Sequence, residues 1–463
     1  MSGKRQKTQY TQLRLAFAEE SRGEALGAEG RGTEPLKAKR NPESPAGKGR
    51  LMGEVCERTN LEIAWRHVRR NRGSPGVDGM SIDETRNYLK EQWPTIRDQL
   101  LEGTYSPQPV KRVNIPKPDG GVRKLGVPCV VDRLIQQGLL QVLQKQWDPT
   151  FSEHSYGFRP RRSAHQAVVQ AQRYIAEGYN YVVDIDLEKF FDRVNHDMLM
   201  ARVAARVSDK RVLKLIRAFL NAGVMEEGMV CPIDEGTPQG GPLSPLLSNL
   251  VLDDFDKELA RRGHRFCRYA DDCNIYVRSR RAGERVMATI CRFLTKKLRL
   301  KVNESKSAVA RPEERKFLGF SISNDGSERR IAPKALDRFK MRLREFTRRT
   351  RGVSLPQLIA KLAPYLIGWR GYFGLCQTPR VLSNLDAWIR RRLRMFLWRQ
   401  WKNGPNRFKE LRRRGVSRFN AAVAAGSPTG LWRMSGHPAV QQALRNHYFD
   451  SIGLPRVAAS CNA

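Results

Sequence analysis

The sequence predicts an α/β fold over its middle part and an almost entirely helical last third. From residue 106 to about residue 326, short apolar runs rich in β-branched and aromatic residues alternate with longer runs at helical spacing. After residue 326 the apolar residues keep helical spacing, and Arg and Lys fill many positions between them. A chain of 463 residues is too long for one compact core, so we expect two or three structural units.

The first hundred residues divide into a charged tail and a helical extension. Residues 1–50 are rich in Gly, Glu, Lys and Arg and poor in large apolar side chains, which predicts a disordered tail. Within the extension, 51–105, we expect a helix over 51–70 and then a turn-rich loop. Ser81 followed by Glu84 has the spacing of a capping box, so a second helix should begin after Ser81.

The middle part, 106–326, can be divided into elements in order. Residues 110–128 predict a hairpin of two basic strands joined by a turn at 118–121. The other predicted elements are a helix over 131–147, a strand at 181–185 that continues into helical sequence, a helix over 197–222, a strand pair at 266–279, a helix over 284–300 and a strand at 316–323.

The last third should be built from helices packed on a common core. Two apolar stripes at helical spacing predict two such helices: Leu336, Phe339, Leu343 and Phe346, then Leu385, Ile389, Leu393 and Phe396. Trp369, Tyr372 and Phe373 are expected to be core aromatics, with stacking on a base or ribose as the alternative. A basic segment, an Ala/Gly/Ser-rich linker near 421–430 and a short final piece complete the chain.

The charge balance indicates a polyanionic partner. The chain has 84 Lys and Arg against 47 Asp and Glu, a formal net charge of +37, and residues 326–463 alone hold 28 basic and 6 acidic residues. Such self-repulsion needs a counter-charge, and nucleic acid fits better than a membrane because no run of about 18 apolar residues exists. The eight cysteines form no C-x-x-C pair, which argues against a disulfide framework or a zinc site and favours a reducing cytosol.

Two adjacent acids, Asp271 and Asp272, interrupt strand-forming sequence. Side chains alternate faces along a strand, so both carboxylates can point into the same space only if a tight turn lies between the strands. Another acid, Asp186, follows the apolar run Tyr181–Ile185, and neighbouring strands would bring two or three carboxylates together. Such a cluster needs cations, and Mg²⁺ prefers oxygen ligands. The pattern alone leaves open a solvated turn, or an acid pair that forms salt bridges with Arg.

Ordered motifs carry a resemblance to a known family. They are "NRGSPGVDGMSIDE" (71–84), "IPKPDGGVRKLGVPCVVDRLIQQ" (115–137), "SYGFRPRRSAHQA" (155–167), "DIDLEKFFDRVNHD" (184–197), "GTPQGGPLSPLLSNLVLDDFD" (236–256), "YADD" (269–272), "LRLKVNESKS" (298–307), "RKFLGFSI" (315–322) and "YLIGWRGYFG" (365–374). In this order, from about residue 51 onwards, the chain resembles the reverse transcriptase/maturase proteins encoded by bacterial group II introns, of the non-LTR type. "YADD" alone would say little, but the ordered set is specific.

The resemblance implies a right-hand polymerase fold. Its fingers and palm would occupy 106–326, with 51–105 as an extension of the fingers. An all-helical thumb, the maturase X domain, would occupy 327–402, and a small basic DNA-binding region 403–463. The implied activity is RNA-directed DNA polymerisation, together with binding of the intron RNA and assistance to its splicing and mobility.

Matched position by position, the resemblance assigns catalysis to Asp186, Asp271 and Asp272. Asp186 is preferred to Asp184 because the family's metal ligand is followed by Leu-x-x-Phe-Phe. The three acids and the backbone carbonyl of Leu187 are then the implied ligands of two Mg²⁺ ions, for which Mn²⁺ can substitute.

The resemblance also assigns residues to the incoming nucleotide. Lys117 and Arg123 match the fingers residues that clamp the triphosphate, a role that suits a point charge and a bidentate guanidinium. Phe191 falls under the sugar, where its ring would clash with a 2′-hydroxyl, and Gln239 lies beside the nucleotide. Without the family, the first two would be exposed strand cations, Phe191 a core aromatic and Gln239 part of a plain turn. His196 is expected to be a capping or packing residue.

The implied partners are the intron RNA, an RNA template with a DNA primer, target DNA and dNTPs, in the bacterial cytosol and without a membrane. A homodimer is left open. The residues expected to contact nucleic acid are arginines of the basic last third: Arg390, Arg391, Arg394, Arg412 and Arg413.

The chain departs from the family pattern in one respect. Many members end in an HNH-type endonuclease with paired cysteines, whereas His437, His447 and Cys461 are isolated, so we expect no such domain. Three rival functions remain: a domesticated reverse transcriptase in repair or defence, a splicing-only maturase and an RNA-dependent RNA polymerase. The intact acids argue against the second and Phe191 against the third, while flanking intron sequence in the DNA would decide the first.

Overall fold

The computed structural model describes residues 51–116, 121–226, 229–231, 236, 240–348 and 352–458. Within them the chain forms two compact units, 51–311 and 312–458. The predicted tail, 1–50, and most of the predicted turn at 118–121 lie outside the described residues. No helix in the described ranges is long and apolar enough to span a membrane.

The first unit interleaves helices and strands. The helices are α1 (Leu51–Val55), α2 (Arg58–Arg70), α3 (Ile82–Glu102), α4 (Val130–Trp147), α5 (Ala164–Ala176), α6 (His196–Ala204), α7 (Lys210–Asn221), α8 (Ser244–Arg261) and α9 (Arg280–Lys297). The strands are β1 (Val110–Pro116), β2 (Val122–Val127), β3 (Tyr181–Ile185), β4 (Val224–Glu226), β5 (Met229–Cys231), β6 (Arg265–Tyr269), β7 (Asp272–Val277) and β8 (Ala308–Ala310). The alternation predicted from the sequence is confirmed.

Local sequence signals set several helix ends. Ser81 and Glu84 form the predicted capping box at the start of α3: each side chain accepts a hydrogen bond from the other's backbone N–H. Two helices expected to be continuous are divided, at 56–57 and at 205–209. Asp209 accounts for the second break, because its carboxylate caps α7 at Arg211 and also accepts a 3.0 Å bond from the N–H of Met52.

Two sheets organise the first unit. One has the order β6–β7–β3–β8 with every neighbouring pair antiparallel, and the other has the order β2–β1–β4–β5, with β1 and β4 parallel. The predicted hairpin at 110–128 is β1–β2, which pairs Ile115 with Arg123. Helices α5 and α9 pack on the first sheet. Val183 and Ile185 of β3 are buried in the core, so alternation places Asp184 and Asp186 on the opposite face.

The second unit is mainly helical. It contains the strands β9 (Phe320–Ile322) and β10 (Arg329–Ile331), then α10 (Pro333–Phe346), α11 (Leu355–Phe373), α12 (Pro379–Gln400), α13 (Gly404–Arg413), α14 (Arg418–Gly426), α15 (Leu431–Met434), α16 (Pro438–Ala443) and α17 (Asn446–Ser451). The antiparallel β9–β10 pair packs with these helices. The ring centroids of Phe320 and Phe373 are 5.4 Å apart, and the Tyr372 hydroxyl donates a 2.8 Å hydrogen bond to the Leu318 carbonyl. The compact division therefore falls before residue 326.

The core of the second unit uses the two predicted stripes. Phe339 and Leu343 of α10 are buried, as are Leu385, Ile389, Leu393 and Phe396 of α12. Trp369 is also buried, with its ring centroid 4.3 Å from that of Phe339, so its prediction as a core aromatic is confirmed.

The expected linker near 421–430 is wrong over most of its length. Residues 418–426 form α14 because Ser417 caps the helix and Ala421 and Ala424 pack fully buried in the core. The small side chains of this segment suggested a flexible linker, but in the structure they allow the helix to pack closely.

Candidate active site

Asp186 follows directly after the last residue of β3 and is held by a later loop. Its backbone N–H donates a 3.0 Å hydrogen bond to the hydroxyl of Ser307, and its carbonyl accepts a 2.8 Å bond from the N–H of Asn303. Lys306 of the same loop places its Nζ 4.0 Å from Oδ2 of Asp186. The carboxylate is half-exposed. The 303–307 loop thus anchors this acid through its backbone and leaves its oxygens accessible.

The second pair of acids lies in the turn between β6 and β7. Tyr269 pairs with Asp272, which leaves Ala270 and Asp271 as a two-residue hairpin loop. Ala270 takes a φ of 57°, a positive value as type II′ hairpin turns require at this position. The prediction that a tight turn separates the two strands is confirmed. We call residues 269–272 the acid turn.

Strand register brings the acid turn beside Asp186. Ile185 pairs with Cys273 in the β3–β7 ladder, so one further step places Asp186 opposite Asp272 and a second places Leu187 opposite Asp271. The carboxyl end of β3 therefore meets the acid turn, as the sequence predicted for neighbouring strands.

The charges of Asp186 and Asp271 interact. Asp271 is half-buried, and burial raises the pKa of its carboxyl above the ordinary value, with the charge of Asp186 raising that pKa further. The positive charges of Arg123 and Arg268 act in the opposite direction. Asp271, Asp186 and Arg123 therefore lie within electrostatic reach of one another.

Asp272 is not part of a preformed group of three. It occupies the first position of β7, and in the described part of the chain no three His, Cys, Asp or Glu side chains lie close enough together to hold a metal ion. Asp186 and Asp271 thus interact electrostatically, and Asp272 lies at the start of β7, where the register places it opposite Asp186.

The Leu187 carbonyl is directed towards the acid turn. Leu187 and Val302 form an isolated antiparallel bridge, flanked by bonds from the N–H of Glu188 to Lys301 and from that of Asn303 to Asp186. In such a non-hydrogen-bonded pair the backbone groups point away from the partner strand, here towards the side of β7. Two like-charged carboxylates and a carbonyl form an all-oxygen donor set, which fits a hard divalent cation such as Mg²⁺.

Phe191 lies just beyond Asp186, in a short 3₁₀ turn, Phe190–Asp192. Its ring is half-buried and meets that of Phe190 edge-on, with centroids 5.3 Å apart. His196 is buried, and its Nε2 lies 2.6 Å from the carbonyl of Gly236, which confirms a packing role.

Of the residues predicted to contact the nucleotide triphosphate or base, the structure describes Arg123, which lies on β2. Arg123 is exposed on that strand, whereas Lys117 and Gln239 lie outside the described residues. Gly240, the neighbour of Gln239, has a φ of 129°, and a Cβ there would lie 2.5 Å from the carbonyl oxygen of Gly126. The backbone at Gly240 therefore packs directly on β2, which glycine alone permits without displacement.

The expected basic face of α12 is largely internal. Arg390 is buried, Arg391 stacks over Trp432 at 4.2 Å, and Arg394 donates a 3.0 Å bond to the carbonyl of Leu444. Arg390 was predicted to contact nucleic acid, but the residue is only 9% exposed. Arg412 and Arg413 are exposed at the end of α13.

Sequence reasoning also missed residues that support the site. Lys306 and Ser307 lie in "LRLKVNESKS", and Arg268 directly precedes "YADD", but no role was assigned to them. Their positions inside recognised motifs were the available signal. Lys306 and Ser307 contact Asp186, which lies about 120 residues earlier, and Arg268 is bonded to Ser155, 113 residues earlier, so these contacts could not be inferred from spacing.

Comparison with known proteins identifies the family. A model of the reverse transcriptase (RNA-dependent DNA polymerase) domain matches residues 115–322, and one of the group II intron maturase-specific domain matches residues 336–415. Protein YkfC of Escherichia coli (strain K12) is 33% identical over 300 residues, which cover 56% of this chain and 79% of YkfC. The chain belongs to the group II intron reverse transcriptase/maturase family. Its enzyme class is therefore RNA-directed DNA polymerase.

Two further similarities cover smaller parts of the proteins compared. Group II intron-encoded protein LtrA of Lactococcus lactis subsp. cremoris is 35% identical over 196 residues, 42% of this chain and 32% of LtrA. The match thus spans about a third of that relative. A chain in the solved structure of a partial Cas6-RT-Cas1–Cas2 complex shares 23% identity at a TM-score of 0.35, covering 53% of this chain and 42% of that chain. The match of residues 115–322 to the reverse transcriptase model, with the helices that follow, confirms the predicted fingers–palm fold with a helical region after it.

Proposed function

We propose that this reverse transcriptase/maturase adds dNMP units to a DNA 3′ end on an RNA template, with Asp186, Asp271 and Asp272 as its catalytic acids. The observation that carries the proposal is the approach of Asp186 to the half-buried Asp271 where β3 meets the acid turn. Two like charges at such a position are costly without a cation. Two Mg²⁺ ions, or Mn²⁺ in their place, would supply activation of the 3′-hydroxyl and stabilisation of the leaving pyrophosphate.

The protein's own residues hold and orient the reactants. Asp186, Asp271 and Asp272, with the Leu187 carbonyl, would hold the ions, and the Ser307 hydroxyl fixes the backbone at Asp186. Arg123 is exposed on β2 within electrostatic reach of Asp271, a position that suits a clamp on triphosphate oxygens. Lys117 would be its companion on the same hairpin.

Selection of deoxynucleotides is assigned to Phe191. Its ring follows Asp186 by five positions and packs against Phe190, which fixes the ring's orientation. A fixed aromatic ring beneath the sugar excludes a 2′-hydroxyl by contact. Gln239 would complete the pocket, next to the close approach of Gly240 to β2.

The second proposed activity is binding of the intron RNA to assist splicing. Residues 336–415 match the maturase-specific domain, and the last third carries most of the net positive charge. An open cleft of about 660 Å³ in the second unit is lined by Arg391, Arg394, Arg433 and His437, and its described lining residues include no acid. This cleft, with the exposed Arg412 and Arg413, is the proposed phosphate-contacting surface; Arg390 is buried on the same helix, α12, as Arg391 and Arg394.

Three further features complete the proposal. Target DNA would be a third nucleic-acid partner, through which the protein aids mobility of the intron. The place of action would be the bacterial cytosol. Sedimentation at equilibrium would distinguish a monomer from a homodimer.

Primer extension tests the polymerase proposal. The purified protein should extend a DNA primer on an RNA template with dNTPs and Mg²⁺, and Mn²⁺ should substitute. No extension with either ion would contradict it.

Splicing of the intron that flanks the reading frame tests the maturase proposal. At low Mg²⁺ this splicing should require the protein, and an equal rate without it would contradict the proposal. Normal extension with no effect on splicing, and no intron RNA in the flanking DNA, would favour a domesticated enzyme of repair or defence. Splicing assistance without extension would instead indicate a splicing-only maturase.

A further inference from the structure

The side chain of Arg268 uses all five of its N–H donors inside the protein. Arg268 is 1% exposed and its ion-pair partner Asp256 is 0% exposed. Its Nε and Nη2 donate to the two carboxylate oxygens of Asp256 at 2.7 and 2.6 Å. The second Nη2 hydrogen reaches Oγ of Ser155 at 2.7 Å, and Nη1 donates to Oδ1 of Asn249 at 3.1 Å and to the carbonyl of Ala270 at 2.9 Å. The last of these acceptors belongs to the acid turn.

The acid turn is also supported from its other side. The backbone of Arg268 forms two hydrogen bonds with the residues on either side of Ser155. Its N–H donates to the carbonyl of His154, and its carbonyl accepts from the N–H of Tyr156. Asn249 donates a 2.9 Å bond to the carbonyl of Gly157, and a Cβ on Gly157 would lie 2.3 Å from the backbone nitrogen of Ala270. The turn is therefore enclosed between the Arg268 guanidinium and the Gly157 backbone.

Ala270 needs such support. Its φ of 57° lies in the left-handed region, which a residue with a Cβ rarely adopts and which persists only when the surroundings enforce it. Because Ala270 precedes Asp271, a change in its backbone angles would redirect the neighbouring carboxylate.

We propose that Arg268 is a positioning residue for DNA synthesis, whose bond to the Ala270 carbonyl fixes the acid turn in the geometry that presents Asp271 to the reaction. The inference rests on the proposed catalytic role of Asp271. A buried ion pair with Asp256 would itself contribute little net stability compared with apolar residues of similar volume. The planar fork of arginine joins that anchor to the turn, and lysine, with three donors on one nitrogen, cannot span both.

The first test uses Arg268→Lys, which keeps the buried charge but loses the fork. Steady-state primer extension should show kcat lowered by at least about tenfold, with the KM for dNTP and the affinity for primer–template within about twofold of wild type. Ser155→Ala is the matched control, because it removes another bond of the same guanidinium and leaves the bond to Ala270. Its kcat should stay within about twofold of wild type. A normal kcat for Arg268→Lys would overturn the inference.

A second variant separates positioning from folding. Arg268→Met combined with Asp256→Leu removes both buried charges together, so no unpaired charge is left. The variant should still fold, with a thermal midpoint lowered by the lost bonds to Ser155, Asn249 and Ala270, and its kcat should fall as in Arg268→Lys. A folded double variant with wild-type kcat would overturn the inference. If the double variant does not fold, Arg268→Lys decides. Arg211→Met, which breaks a comparable pair with Asp209 at the start of α7, should lower the thermal midpoint without lowering kcat.

Asp271→Ala distinguishes failure of this inference from failure of the proposed site. An active Asp271→Ala variant would remove the catalytic assignment itself. An inactive Asp271→Ala variant beside an Arg268→Lys variant with normal kcat would remove the positioning role and leave the site assignment intact.

Discussion

The backbone N–H of Asp186 donates a 3.0 Å hydrogen bond to the hydroxyl of Ser307, 121 residues further along the chain. This bond joins an acid proposed for catalysis to the loop that also carries Lys306. The carboxylate itself is not used in the bond, so its oxygens stay available. A backbone anchor of this kind fixes the position of the acid without neutralising it.

Ser307→Ala should slow DNA synthesis while leaving the fold intact. A single neutral hydrogen bond contributes about 1 kcal/mol, so we expect kcat to fall about fivefold with little change in thermal midpoint. Ser307→Thr, which keeps the hydroxyl, should retain most of the activity. Single-turnover primer extension measures the effect, and an unchanged rate for the alanine variant would show that the anchor is not needed.

Phe191→Val should weaken discrimination against ribonucleotides. The smaller side chain no longer fills the space beneath the sugar, so the ratio of kcat/KM for dNTP to that for NTP should fall at least about tenfold. Incorporation of dNTP should change much less. Phe190→Leu, which loosens the packing that orients this ring, should weaken the selectivity less than Phe191→Val if it folds. Unaltered selectivity in Phe191→Val would assign this ring to the core alone.

The rate of synthesis should fall as the pH is lowered. Burial, together with Asp186, raises the pKa of the Asp271 carboxyl, so this acid becomes protonated at a higher pH than an exposed aspartate. Protonation removes its capacity to hold a cation. Because a cation competes with the proton, higher Mg²⁺ should move the acidic limb of the rate profile to lower pH. An acidic limb that does not respond to Mg²⁺ would contradict this assignment.

Stability should also depend on pH through Asp132. This carboxyl is 1% exposed, and burial raises its pKa from 3.8 to about 7 although it accepts bonds from the Tyr105 hydroxyl and the Gln108 N–H. A raised folded-state pKa contributes stability that is complete below pH 3.8 and is lost as the pH rises through 7.

Asp132→Asn should therefore lack this dependence. Between pH 4 and pH 8 the free energy of unfolding of wild type should fall relative to that of Asp132→Asn, by on the order of 2–4 kcal/mol. Denaturant titrations across this range measure it, with Asp148→Asn as a control on a partly exposed acid. Parallel curves for wild type and Asp132→Asn would contradict the prediction.

Asp386 should anchor the last described residues of the second unit. Its buried carboxylate accepts 2.8 and 2.9 Å bonds from the backbone N–H groups of Val457 and Ala458. Asp386→Ala removes both acceptors and should destabilise the unit by about 2–3 kcal/mol. Amide exchange should increase first at Val457 and Ala458. Slow exchange at both positions in the variant would show that another contact holds them.

Much of this architecture could be predicted from local patterns. The capping box at Ser81 and Glu84, the β1–β2 hairpin and the apolar stripes of α10 and α12 depend on residues close together in the chain, so spacing alone determines them. The acid turn could be predicted for a similar reason, because the carboxylates of two adjacent acids between strands cannot point into the same space without a turn. Family motifs then indicated which acids to consider.

The unpredicted features depend on contacts between distant residues. Arg390 was predicted to contact nucleic acid, but it is buried, and helix periodicity cannot show which side of α12 other segments will cover. Asp186 is held by Ser307, 121 residues later, and the guanidinium that supports Ala270 is itself bonded to Ser155, 113 residues earlier. Asp209 ends a predicted helix because its carboxylate also holds Met52, 157 residues earlier.

The central claim, that the acid turn is the catalytic centre of an RNA-directed DNA polymerase, is tested most directly by Asp271→Ala in a primer-extension assay on an RNA template. We predict that extension is abolished while RNA affinity stays within about twofold of wild type, because phosphate contacts by basic residues dominate binding. Asp184→Asn, on the same face of β3 but not assigned to catalysis, is the control and should remain active. Extension by Asp271→Ala at the wild-type rate would contradict the account.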